Sequence, residues 1–176
     1  MQIHGFADAS FKTQDGRTRS VEGRILFLTN GKKASPILWK SKKISRVADS
    51  TKSAETLAMD KATDDAIFMA RMVHQIYTGR KTLEQIPVKI YTDSQPLHDS
   101  IYSTKQVERK TMRHVIQILK DSVSRGEVEK FIWVNTKNMI ADVLTKDSAP
   151  IHLIKDILDN GTLNIQTGEK EEVRED

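Results

Sequence analysis

The hydrophobic pattern of this 176-residue chain changes period near residue 50, and that change limits the folds open to it. Ahead of it, three runs read as strands: 2–9 (QIHGFADA), 20–29 (SVEGRILFLT) and 36–41 (PILWKS). The second alternates and then turns apolar, as a half-buried strand does. Asn30-Gly31 follows it, a hairpin signal, so the three runs read as an antiparallel meander. Beyond the change, Ala58, Ala62, Ala66, Met69, Val73 and Ile76 step by three and four, the spacing of one helix face. This predicts a long amphipathic helix over 52–77, capped by Ser50, Thr51 or Ser53 and stopped at Gly79.

Alternating strands and helices complete the pattern. Residues 87–93 (PVKIYTD) read as a strand, and Pro96 suits the first turn of a short helix over 95–103. A helix is predicted over 106–124, with Val107, Met112, Val115, Ile116 and Leu119 on its apolar face and Gly126 at its end. A fifth strand is expected over 129–135 (EKFIWVN), then helices over 138–146 and 151–159. Antiparallel strands followed by β/α alternation imply an α/β domain: a five-stranded mixed sheet, its first three strands antiparallel, flanked by helices. The domain is expected over 1–160, and 161–176, ending in GEKEEVRED, as an acidic disordered tail. Trp39 and Trp133 lie within strands and read as core, as do the methionines at helical spacing.

Composition narrows the chemistry. Cysteine is absent, which excludes disulfides and thiolate metal sites. No stretch has the apolar length of a membrane helix, and MQIHGFADAS does not read as a signal peptide. Formal net charge is +4, with Lys32, Lys33, Lys40, Lys42, Lys43, Arg46 and Lys52 crowded into one stretch, a pattern that favours a polyanionic partner.

Four acids fall at positions where a sheet of this kind presents functional groups. Asp8 ends the first strand, Asp93 ends the fourth, and Asp142 lies between Ile140 and Val143 in the predicted helix after the fifth. Glu55 sits seven residues before Ala62, nearly on the same face of the long helix, so its carboxylate is turned toward the sheet. Such burial is costly without a partner or a metal. Oxygen donors grouped in one site suit hard divalent cations, and two such ions about 4 Å apart can drive phosphodiester hydrolysis.

HGFADAS at 4–10, ILWKSKKISRVADSTKSAETLAM at 37–59, VKIYTDSQPL at 88–97 and IWVNTKNMIADVLTK at 132–146 occur in the order found in one family. The chain resembles the ribonuclease H domain of LTR-retrotransposon polyproteins, most closely the copia type, over residues 2–146. The resemblance implies a ribonuclease H-like fold and a catalytic, metal-holding set of Asp8, Glu55, Asp93 and Asp142 around two Mg²⁺ ions, with Mn²⁺ as the alternative. It implies that Asp8 and Asp93 serve both metals, Glu55 the one beside the leaving oxygen, and Asp142 the one that positions water. Gln95 matches a residue that touches the minor groove of the hybrid, and Asn138 a recurrent Asn one turn before the last acid. Ser10 and Ser94, inside the first and third motifs, join Gln95 and Asn138 as substrate-binding candidates.

The implied activity is cleavage of the RNA strand of RNA/DNA hybrids during reverse transcription, beside a reverse transcriptase in the same polyprotein. The implied setting is the cytoplasm, within virus-like particles, or the nucleus. Lys42 and Lys43, with Lys40 and Arg46, are expected to contact phosphates. The chain departs from cellular relatives in carrying Asn135-Thr136-Lys137 where they have a loop His; His4, His74, His98, His114 and His152 all lie elsewhere.

Two rivals differ in class. An integrase-type site would need a Glu on a helix after the second Asp, but Glu129 opens the strand FIWV and Glu55 falls between the two Asp residues. The other is a catalytically weak or inactive domain that serves a reverse transcriptase as a nucleic-acid-binding or structural module, a reading that only the site can decide.

Overall fold

The computed structural model describes residues 1–11, 13–14, 17–18, 20–31, 33–46, 48–104 and 110–165. Three antiparallel strands come first: β1 (Gln2–Ser10), β2 (Val21–Thr29) and β3 (Ala34–Lys43). Helix α1 (Thr51–Thr78) follows, then β4 (Val88–Thr92), α2 (Gln95–Tyr102), α3 (Lys110–Ser124) and β5 (Lys130–Trp133). Two 3-10 turns, Thr136–Asn138 and Ile140–Leu144, lead to α4 (His152–Asn160). The sheet order is β3-β2-β1-β4-β5, with β1 antiparallel to β2 and parallel to β4, which is in turn parallel to β5. The mixed five-stranded sheet is thus as expected. Two-residue strands at Thr13–Gln14 and Arg17–Thr18 form a separate small hairpin between β1 and β2.

Alternation along β1 sorts the core into two layers. Ile3 and Ala7 face α1, whose Ala62, Ala66 and Ala70 are fully buried; side chains this small let the helix lie close to the sheet. Phe6 points the other way, stacked on Tyr91 at 4.6 Å between ring centroids and edge-on to Phe27 at 6.1 Å. Met139, Ile140, Ala141 and Ile157, from the 3-10 turns and α4, close that second layer. Leu163 and Ile165 pack against it, so the folded body continues past α4; residues 166–176 of the expected tail lie outside the described residues.

Ser50 caps α1 by accepting from the Ser53 N–H at 3.2 Å, and Gly79, left-handed at φ 68°, ends it. A helix of 28 residues runs ~42 Å at 1.5 Å per residue, whereas the nine residues of β1 span ~30 Å. The helix outruns the sheet, which is why Ile76, placed on the buried stripe by its spacing, is 75% exposed.

Two further expectations need correction. Trp39 is 63% exposed rather than core, because β3 is an edge strand and the turn layer on that face is centred over β1 and β2. The helix expected over 138–146 is instead the pair of 3-10 turns. Met139, extended at φ −79° and ψ 96°, separates them, and the Asn135 side chain caps the first by accepting from Lys137 N–H at 3.0 Å. Residues 106–109 of the expected third helix lie outside the described residues.

Candidate metal centre

Asp8 stands near the end of β1 on the Phe6 side and is 1% exposed. Its neighbour across the strand pair is Gly23. A Cβ at Gly23 would lie 2.6 Å from Thr145 Cγ2 and 2.8 Å from Leu144 Cβ. The bare glycine therefore lets the second 3-10 turn settle directly on the sheet beside Asp8. That turn carries Asp142, and the Thr145 hydroxyl just beyond it donates to Asp8. Ser41, next in the same row of the sheet, donates to the Leu144 carbonyl at 2.6 Å and pins the turn from the other side. Asp93 follows directly on β4, which lies parallel against β1. The Trp133 indole N–H donates to its carbonyl at 3.1 Å, and the Thr136 side chain hydrogen-bonds to its carboxylate.

One carboxylate oxygen from each of Asp8, Asp93 and Asp142 lies within 4.8 Å of the others. Three segments far apart in the chain thus meet at one point. Glu55, in the first turns of α1, is buried but is not one of this trio. It is near enough to feel Asp8 and Asp93, and it accepts the Ala9 N–H. Burial above all, then those two negative charges, push its carboxyl up to about 9. Burial is also the main reason Asp142 rises to about 6, against the opposing pull of Lys146, and the reason Asp93 is held above the usual carboxylate range.

Lys146, one helical turn beyond Asp142, puts its ammonium 2.8 Å from Asp142 Oδ1 and 3.5 Å from Asp8 Oδ2. Sequence alone assigns no role to this lysine, nor to Thr136, Thr145 or Gly23. Only the spacing of four from Asp142 hints at Lys146; the other contacts span more than forty residues.

The donor set fits a hard divalent cation. Every candidate ligand is a carboxylate oxygen, crowded and buried enough to call for positive charge. In addition, the buried Ser10 hydroxyl, two residues from Asp8 on the same face, has no partner among the described residues.

The remaining candidates are more scattered. Ser94 is half-buried at the N-cap of α2 without a side-chain cap bond, and the Gln95 amide, exposed, donates to Asp99 at 2.6 Å. Asn138 lines a cavity of about 210 Å³ with Ile140, Leu153 and Asp156, against α4. Lys42 and Lys43 are exposed at the end of β3 and line a separate cleft of about 120 Å³ with Arg46 and Lys61. Lys40 is paired with Asp65 at 3.1 Å, and Lys32 lies outside the described residues.

The fold is that of ribonuclease H. The chain is similar to ribonuclease H1 from the halophilic archaeon Halobacterium salinarum NRC-1, at 13% identity and a TM-score of 0.58, over 90% of this chain and 98% of that one. It is similar to LC11-RNase H1, solved in complex with an RNA/DNA hybrid, at 16% identity and a TM-score of 0.58, over 84% and 96% of the two chains. It also resembles part of the protease-reverse transcriptase of prototype foamy virus, at 15% identity and a TM-score of 0.54, over 84% of this chain and 20% of the viral one. No known family profile matches the chain, and no curated protein does.

Proposed function

We propose that this domain is a metal-dependent ribonuclease H that hydrolyses the RNA strand of RNA/DNA hybrids. The observation that carries the reading is the convergence of Asp8 and Asp142, both buried, with half-buried Asp93 to within 4.8 Å on a ribonuclease H fold. Asp8, Asp93, Asp142 and the nearby Glu55 would hold two Mg²⁺ or Mn²⁺ ions, which activate water and stabilise the leaving oxygen of a phosphodiester. Asp8, fixed by Thr145, and Asp93, fixed by Thr136 and Trp133, form the rigid part of the set. Glu55 and Gln95 stand on the flanking helices α1 and α2, suited to meet the 2′-hydroxyls by which RNA differs from DNA. The foamy-virus likeness supports a place beside a reverse transcriptase in a retroelement polyprotein; the setting that goes with this reading is the cytoplasm, within virus-like particles, or the nucleus.

The test is cleavage of a hybrid labelled on either strand, with Mg²⁺ or EDTA, in wild type and Asp93→Asn. RNA-strand cutting that needs metal is expected, with a loss of at least about a hundredfold in the variant. Removing a group that merely supports a ligand already costs about 10–100-fold. Hybrid binding without any cutting would instead favour a binding module.

A further inference from the structure

The acids of the centre already have a cation. The Lys146 ammonium sits within ion-pair distance of two of the three aspartates, on the oxygens Asp142 Oδ1 and Asp8 Oδ2. Those carboxylates are the most buried part of the cluster, with side chains 11% and 1% exposed. Lys146 itself is 36% exposed. Its head therefore reaches inward while its flexible four-carbon stem keeps a way out to solvent. Two of the assigned ligands cannot serve an ammonium and a divalent ion at the same oxygens, and two cations at that spacing repel.

We infer that Lys146 is the resident cation of this centre, holding Asp8 and Asp142 together until a divalent ion displaces it, and so setting how much metal the site demands. The inference rests on the metal-centre reading above and adds a competition to it. Lys146 makes the metal-free fold tolerable, since Asp8 and Asp142 would otherwise face each other and Asp93 without counter-charge. The same contacts weaken metal binding, because each loading event must first break them. A lysine that served only as a structural ion pair would support stability and leave metal affinity untouched.

The experiment measures Mg²⁺ binding to the full chain by calorimetry, and melting in EDTA, for wild type, Lys146→Met and Lys146→Arg. Lys146→Met keeps the aliphatic stem and removes the charge. It is expected to bind Mg²⁺ about tenfold more tightly, by the fraction of sites the lysine no longer blocks. It is also expected to melt lower in EDTA and to recover on adding Mg²⁺. Lys146→Arg, which keeps the charge, should stay near wild type. Equal or weaker Mg²⁺ binding in Lys146→Met overturns the inference.

If Lys146→Met does not fold, amine labelling of the wild type read by mass spectrometry decides. Mg²⁺ should raise labelling at Lys146 several-fold and leave exposed Lys155 on α4 unchanged; no rise at saturating Mg²⁺ overturns it. Asp93→Asn separates the two readings. Mg²⁺ binding lost there but unaltered in Lys146→Met leaves the metal centre standing and removes the competition. No Mg²⁺ binding even in wild type removes both.

Discussion

At the scale of single residues, the centre depends on small groups that are not themselves among its acids. Gly23 is one: any side chain there drives into Thr145 and Leu144 and lifts the turn that carries Asp142. Gly23→Ala is expected to cost about 1–3 kcal/mol, the usual range for overpacking a tight interior, and to lower cleavage more than stability. Denaturant melts alongside hybrid turnover check this; full activity with a weakened fold would contradict it. Thr136 is another. It opens the first 3-10 turn after β5, and its side chain bonds the Asp93 carboxylate. Thr136→Val removes that bond at constant shape, and a drop in turnover of about 10-fold or more is expected with an unchanged melting point.

At the scale of elements, α1 ties the cap at its start to the acid it delivers. Ser50 fixes the first turn, and Glu55 follows within two turns. Ser50→Ala should destabilise the domain by about 1 kcal/mol, as the removal of an N-cap does, and should raise the metal concentration needed for cleavage because Glu55 is no longer held on its approach. A metal titration of the variant checks this against a plain stability loss. The elements also show what a sequence can reveal. Ala58, Ala62 and Ala66 are readable as a buried face from spacing alone, because a helix repeats its environment every turn. Asp8 and Asp93 are legible as ends of strands. Ile76 and Trp39 mislead because burial depends on whether a neighbouring layer extends that far, and no local pattern carries that information. The turn around Asp142 misleads because Met139 breaks the helix in favour of burying its side chain in the core. Lys146 is only half legible in the sequence: its spacing of four hints at Asp142, but Asp8, its second partner, is far away along the chain.

At the scale of the whole molecule, the acids of the centre and a group of exposed basic residues are set apart. The acids sink to one end of β1 and β4, while Lys42 and Lys43 stay exposed at the end of edge strand β3, with Arg46 exposed just beyond it. A polyanion held by those cations would lie across the sheet toward the acids. Neutralising Lys42 and Lys43 together is therefore expected to weaken hybrid binding uniformly across sequences. It should also reduce the slope of log affinity against log salt by about 1 for each phosphate no longer neutralised. Binding isotherms at several salt concentrations check this, and an unchanged slope would remove both lysines from the interface.

The position of Lys146 on the same turn as Asp142 bears on how the chain can fold. β1 and β4 pair in parallel across more than eighty residues, so Asp8 and Asp93 meet late, after a long loop has closed. The third acid reaches that pair already accompanied by a positive charge four residues along. The segment that carries the third acid thus brings its own counter-charge, so the three acids can be gathered without an ion from solution.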